Sequence, residues 1–188
     1  MTIGTVMVYV DAAQQAEEQV RVARNVANRF GASIIGVSAL AIPPPVVTEG
    51  VAIQATTADD VKRMKATLVE KEEWFRNVVG MPKEKTEWRW DIEDPTMFLV
   101  NEARAADLIV MRAWHRGADA FRFVDPAEAI LRLGRPAIVV PEHVSDLTAD
   151  RIVIGWKGYT GGAHRRPSRI AVSCPGCGGN HRRTVSLG

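Results

Sequence analysis

The sequence predicts an α/β domain in which a parallel sheet has helices between its consecutive strands. Three continuous apolar runs are typical of strands buried on both faces, and they read TVMVYV (5–10), LIVM (108–111) and AIVV (137–140). Segments with helical apolar spacing separate the predicted strands, so that five strands alternate with four helices along residues 1–141. In such an open sheet, ligands bind beyond the carboxyl ends of the strands.

The first strand, helix and second strand lie within the first 40 residues. The run 5–10 is the first strand, and Asp11 closes it. Residues 14–30 carry apolar side chains at the spacing of one helical face, and Gly31 ends this helix. Residues 33–39, SIIGVSA, form the second buried strand, parallel to the first.

Residues 41–58 are predicted to be a loop because they contain three consecutive prolines and no charge pattern. The loop leaves the carboxyl end of the second strand. It is therefore either a lid or binding segment near the predicted site, or an irregular excursion from the domain.

A long amphipathic helix follows over residues 59–79, with Asp59 or Asp60 as its cap. The charged run 70–73 is interpreted as a solvated face. The apolar stripe is expected at Val61, Met64, Leu68, Phe75 and Val78.

Residues 86–92 alternate Trp88 and Trp90 with polar residues, which predicts a half-buried edge strand in which both tryptophans serve packing. Asp94 and Pro95 begin the third helix as its cap and first-turn proline. Its inward face is expected to carry Met97, Leu99, Val100 and Ala103.

The segment 106–141 combines strand 108–111, a polar loop, helix 126–133 and strand 137–140. This is one βαβ unit, and its crossover should be right-handed. Gly134 ends the helix, and Pro136 leads into the last strand. The carboxyl end of strand 108–111 then places a candidate pocket at residues 112–125.

The motifs ADLIVM, AEAILR and RPAIVVP in this segment resemble the C-terminal half of a universal stress protein domain. The resemblance implies an open parallel five-stranded sheet of order 3-2-1-4-5 with helices on both faces. It also implies a pocket where strands 1 and 4 diverge, which places Asp11 beside Arg112.

ATP-binding members of that family carry G-x2-G-x9-G-[S/T] directly after the LIVM strand. The corresponding residues of this chain are Arg112, His115, Asp125 and Pro126. Arg and His side chains fill the space that glycine leaves for a phosphate, Asp125 adds negative charge, and Pro126 has no N–H to donate. We therefore expect ATP to bind weakly or not at all. The Asp-Pro form of the loop resembles a subset of tandem universal stress proteins.

The candidate pocket residues are Asp11, Arg112, Trp114 and His115. The resemblance matches Asp11 to an acidic residue that contacts the nucleotide, whereas the alternative is that Asp11 caps the following helix. Arg112 could pair with an acidic ligand beside the stacking face of Trp114, or form an ion pair within the chain, with Asp11 or Asp125. No catalytic residues are predicted, because His115 has neither a Ser nor a Cys nearby.

The formal net charge of +2 conceals an uneven distribution. Residues 158–188 contain five arginines and no acidic residue, which leaves 19 basic and 22 acidic residues before them and therefore no nucleic-acid footprint there. The sequence has no apolar run of the roughly 20 residues needed to span a bilayer. The features of a signal peptide are also missing. Both cysteines lie within residues 158–188, so the predicted domain contains none. A cytoplasmic location is therefore expected.

Beyond residue 141 we predict a linker (142–150), the first strand of an incomplete second domain (151–157) and an irregular basic tail (158–188). Tandem universal stress proteins continue with D-T-R-E-A where this chain reads GYTGGAH. A one-base shift can convert the latter into D-T-R-E-A-H. The hypothesis is a second domain truncated by a frameshift after Lys157, which sequencing the gene would test.

The tail also contains the pattern CPGC. Cys174, Cys177 and His181 form an alternative zinc site, with His164 as a further ligand. The frameshift hypothesis explains the same Cys-, Gly- and Arg-rich composition without a metal.

The sequence thus predicts a cytoplasmic stress-associated binding or interaction protein without a cofactor. The first alternative is a nucleotide-binding protein with weak ATP affinity or hydrolysis, and the second is a zinc- or nucleic-acid-binding protein that acts through the tail. A homodimer is expected through the edge strand Ala137–Val140, because an exposed strand edge can pair with a second copy. Alternatively, residues 151–157 cover that edge within one chain.

Overall fold

The computed structural model describes residues 2–12, 17–48, 51–54, 56–113 and 122–147. The chain forms seven strands and four α-helices within these ranges. In order they are β1 (Thr5–Tyr9), α1 (Glu18–Phe30), β2 (Ser33–Ala39), β3 (Val46–Thr48), β4 (Val51–Gln54), α2 (Ala58–Val79), β5 (Thr86–Asp91), α3 (Pro95–Glu102), β6 (Leu108–Arg112), α4 (Pro126–Leu133) and β7 (Ala137–Val140).

Five of the strands form one parallel sheet of order β5-β2-β1-β6-β7. Counted without the two short strands β3 and β4, this is the predicted order 3-2-1-4-5. In the register of the central strands, Val8 pairs with Gly36 on one side and with Val110 on the other. The fold class is therefore confirmed.

The strands β3 and β4 form an antiparallel two-stranded ribbon. The prediction of a loop over residues 41–58 was wrong for these two strands, whose backbones pair with each other. The ribbon leaves the carboxyl end of β2, as the sequence predicted for this segment.

Local signals fix the ends of the helices. α1, α2 and α4 end at Gly31, Gly80 and Gly134, each in the left-handed conformation that glycine adopts without strain. α3 and α4 begin with an Asp cap followed by Pro at the first helical position. The predicted cap of α2 was wrong, because Thr57 is the N-cap and forms a capping box with Asp60.

Side chains alternate between the two faces of the sheet, and each face has its own core. On one face, Val6, Val8, Ile34 and Val110 pack against α1 and α2, whose contributions include Val20 and Phe75. On the other face, the intervening strand residues pack against α3 and α4, and these include Met7, Ile35, Ile109 and Met111. Helices on both faces of the sheet were predicted.

Gly36 lets α2 approach the sheet closely. A Cβ atom at this position would lie 2.6 Å from both Phe75 Cζ and Trp88 Cε3. The rings of Phe75 and Trp88 lie over it with their centroids 5.0 Å apart and an interplanar angle of 34°. The packing role predicted for Trp88 on the edge strand β5 agrees with this contact.

The buried stripe of α2 is formed by Leu68, Lys71, Phe75 and Val79. The prediction that residues 70–73 form a solvated face was therefore wrong at Lys71, which is 8% exposed. The three-residue step from Leu68 and the four-residue step to Phe75 place Lys71 on the same helix face as both.

β7 ends the sheet and pairs with β6 along its inner edge. Ala137, Ile138 and Val139 are half-buried. Self-association through this strand stays a prediction, and the segments 151–157 and 158–188 lie outside the described residues. Within the described part of the chain, no helix is both long enough and apolar enough to cross a membrane.

Candidate ligand site at the carboxyl edge of the sheet

Asp11 and Arg112 follow neighbouring strands at the same edge of the sheet. β1 and β6 run parallel in register, and Asp11 comes two residues after β1 whereas Arg112 is the last residue of β6. The backbone continues the sheet here, because Val10 N donates to Val37 O and Ala113 N donates to Val140 O, both at 2.8 Å. The strand order thus brings the two predicted residues to one edge.

Asp11 is 5% exposed and shares a buried environment with Lys71 of α2. Burial lowers the pKa of the Lys71 ammonium, and the negative charge of Asp11 partly offsets this shift. Burial also raises the pKa of the Tyr9 hydroxyl, and the charge of Asp11 raises it further. Asp11 is therefore a buried carboxylate whose field reaches both a cation on α2 and a phenol on β1.

The alternative role of Asp11, the cap of α1, was wrong. The N-cap of α1 is Glu17, six residues further along the chain, and the Glu17 side chain makes no capping hydrogen bond. Residues 13–16, which connect Asp11 to Glu17, lie outside the described residues.

Lys71 is the site residue that the sequence interpretation missed. Its signal was present in the sequence, because residues 64, 68, 71 and 75 follow the spacing of one helix face. The charged neighbours Glu70, Glu72 and Glu73 concealed that signal. A lysine inside an apolar stripe is informative, because lysine is almost never fully buried without a partner.

Arg112 forms an ion pair with Glu142, in which Arg112 Nη2 and Glu142 Oε1 are 3.1 Å apart. An ion pair within the chain was one of the two roles considered, but with Asp11 or Asp125 as the partner. Glu142 follows β7, the strand next to β6, and so lies at the same edge as Arg112.

Asp125 is the N-cap of α4. Its Oδ1 accepts hydrogen bonds from the N–H groups of Ala127 and Glu128, at 2.8 and 3.3 Å. Its own N–H donates to Thr96 Oγ1 of α3 at 3.0 Å, and Pro126 at the first helical position has no N–H. The helix end at which an anion would bind is thus already occupied by a carboxylate of the same chain.

The other predicted site residues lie outside the described residues. These are Trp114 and His115 in the pocket, and Cys174, Cys177 and His181 in the alternative zinc site. Within the described ranges, no three His, Cys, Asp or Glu side chains are grouped closely enough to hold a metal ion. The roles of all these residues stay predictions.

The sequence matches no protein-family model, and no curated protein is significantly similar to it. Among solved structures, a universal stress protein in complex with cAMP is similar, with a TM-score of 0.50 and 22% identity. The fold is that of universal stress proteins. The match covers 74% of this chain and 98% of the cAMP-bound protein. UspA from Lactobacillus plantarum is similar to the same degree, with a TM-score of 0.50, 19% identity and coverage of 74% of this chain and 99% of UspA.

Proposed function

We propose that this chain is a stress-associated binding protein of the universal stress type that does not hold ATP by its phosphates. The observation that carries the proposal is the carboxylate of Asp125 on the first N–H groups of α4. The fold places this helix end after β6, next to the edge where ligands bind in open parallel sheets.

A phosphate at this helix end would meet two obstacles. The N–H groups of Ala127 and Glu128 already donate to Asp125, and Pro126 contributes none. The phosphate would also face the negative charge of Asp125. Two like unit charges 4 Å apart repel by about 1 kcal/mol in water and by about 4 kcal/mol near a protein surface. Both effects oppose phosphate binding, whereas neither affects a ligand held only at Asp11 and Lys71.

A nucleotide bound mainly through its base and ribose is the second candidate. Buried Asp11 at the end of β1 favours it, because a carboxylate can accept hydrogen bonds from ribose hydroxyls or base amino groups. The similar universal stress protein solved with cAMP holds a nucleotide on the same fold. In this case, adenosine should bind about as well as ATP.

Calorimetry of the full chain with ATP and with adenosine tests the proposal. We expect ATP to bind with a Kd of about 1 mM or weaker, which corresponds to about −4 kcal/mol. Asp125→Gly should improve the ATP affinity at least tenfold. It frees the two N–H groups and removes a charge, and glycine is tolerated at an N-cap at a cost of only a few tenths of a kcal/mol.

The matched control is Asp94→Gly, which makes the same change at the cap of α3. Asp94 accepts a hydrogen bond from Met97 N and is also followed by a proline. ATP affinity should stay unchanged in this variant. A Kd of about 1 μM for the unmodified chain, or an equal gain from both variants, would contradict the proposal.

A further inference from the structure

A shallow cleft of about 430 Å³ that is open to solvent lies between α1 and α2. The described residues that line it are Glu17, Arg21, Arg24, Trp74, Asn77 and Val78. Its volume falls within the range of clefts that bind small molecules. The combination of two guanidinium groups with an indole indicates the kind of ligand that it fits.

Arg24 is the more buried of the two arginines that line the cleft. Its side chain is half-buried, and its Nη1 donates to the carbonyl oxygen of Val78 in the last turn of α2 at 3.4 Å. No carboxylate pairs with Arg24 within the described part of the chain, whereas Arg21, Arg76 and Arg89 each have an acidic partner there. A half-buried guanidinium that makes one long hydrogen bond and has other donors left can receive an anion.

Arg21 and Glu17 contribute one positive and one negative charge to the cleft. They form an exposed i,i+4 ion pair, and such pairs contribute little to stability. Arg21 can therefore turn toward a ligand at small cost. The two arginines and the glutamate together carry one net positive charge. This charge matches a single carboxylate, whereas a phosphate dianion would leave an excess negative charge beside Glu17.

Trp74 provides the apolar wall. The ammonium of Lys71 lies 5.0 Å from the centroid of the indole ring, and this cation–π contact holds the ring from the buried side of the helix. Val78 extends the apolar surface, and the amide of Asn77 offers a donor and an acceptor. A planar apolar group can stack on this wall while its anionic group reaches Arg24.

We propose that the cleft between α1 and α2 binds a small aromatic monocarboxylate. Its carboxylate lies on Arg24, with Arg21 as the second cation, and its ring lies against Trp74. None of the lining residues belongs to the site at Asp125, so the result for one site does not decide the other.

Calorimetry of the full chain with 2-naphthoate tests this inference. We expect saturable binding with a Kd of about 0.1–1 mM. The neutral analogue 2-naphthamide and the dianion 2-naphthyl phosphate should each bind at least tenfold more weakly, and acetate, which lacks the ring, should not saturate below about 10 mM. Equal binding of the naphthamide would contradict the role of the arginines.

Substitutions locate the ligand. Arg24→Gln and Trp74→Leu should each weaken 2-naphthoate binding at least tenfold, and Arg24→Lys, which keeps the charge but loses the planar fork, should lie between wild type and Arg24→Gln. Arg104→Gln removes an exposed arginine after α3 and should change nothing. The melting temperature of each variant shows that it is folded. Unchanged binding in a folded Arg24→Gln variant, or no saturation by wild type, would overturn the proposal.

Discussion

The two faces of the sheet differ in how completely they satisfy their buried polar atoms. On the α3–α4 face, Tyr9 Oη donates to Ala39 O, and Thr96 Oγ1 accepts from Asp125 N. On the α1–α2 face, Gln19 Oε1, Ser38 Oγ and Trp88 Nε1 are buried without a hydrogen-bond partner in the described structure. The α1–α2 face also contains buried Lys71 and the cleft.

The difference shows that the helices on one face of a sheet can serve mainly for apolar packing, while a helix on the other face also carries buried polar and charged side chains. α3 and α4 have eight residues each, begin with an Asp-Pro cap and cover their face with apolar side chains. α2 has 22 residues, so it packs on the sheet through Phe75 and Val79 and also carries Lys71 and Trp74. Unsatisfied polar atoms cost free energy unless water or a ligand satisfies them. We therefore expect the α1–α2 face, rather than the α3–α4 face, to admit water or a ligand.

The largest effect should come from removing the ring that anchors the α1–α2 face. Phe75 is fully buried against Trp88 and over Gly36, so Phe75→Ala should lower the free energy of unfolding by about 3–5 kcal/mol. Urea denaturation measures this change. Phe30→Ala, at a phenylalanine that is 48% exposed, serves as the control and should change the stability far less. Similar losses in both variants would show that α2 does not anchor this face.

A smaller effect is expected from the buried cation. Lys71→Met should destabilise the fold by about 2 kcal/mol at neutral pH, because the loss of this positive charge beside buried Asp11 is partly offset by removal of the ammonium's desolvation penalty. The double variant Asp11→Asn with Lys71→Met should recover part of the loss. If the double variant is as unstable as the sum of the single ones, the two charges are not coupled.

The Lys71→Met loss should also depend on pH. Burial lowers the pKa of Lys71 in the folded chain below its ordinary value of 10.5, so the unfolded chain binds more protons just below pH 10.5. Wild type therefore gains stability from Lys71 as the pH rises through this window, and Lys71→Met does not. The difference between the two proteins should increase with pH there, as thermal melts from pH 8 to 10 would show.

The smallest effect is expected on the α3–α4 face. Thr96→Val keeps the shape of the side chain but removes the acceptor of the Asp125 N–H, which should cost about 1–2 kcal/mol. Thr67→Val is the control, because the hydroxyl of Thr67 bonds within α2 and faces solvent. A loss no larger than that of the control would show that the polar groups of this face matter as little as those of a helix surface.

The elements that were predicted accurately are those with local signals. Asp125, Pro126 and Gly134 define α4 to the residue, the largely apolar segment SIIGVSA defines β2, and the continuous apolar run AIVV defines β7. The cap of α2 was placed two or three residues late, at Asp59 or Asp60, because these residues and Thr57 all suit an N-cap and the backbone geometry chooses between them.

What could not be predicted depends on contacts between distant segments. Glu142 pairs with Arg112 across 30 residues, and only the position of β7 beside β6 brings them together. Lys71 is buried because the helix face that carries it meets the sheet, whereas its neighbours in sequence suggest exposure. The strand order placed Asp11 and Arg112 at one edge, but it did not indicate the side chains around them.

Asp125 has a consequence for competition between ligands. A carboxylate on the same backbone acts at a high effective concentration and loses little entropy on binding, so an external anion must outcompete a group that never diffuses away. Asp and Gly codons differ by a single base. One nucleotide substitution at codon 125 would therefore free the N–H groups of Ala127 and Glu128 for an external anion, whereas Pro126 would still contribute no N–H.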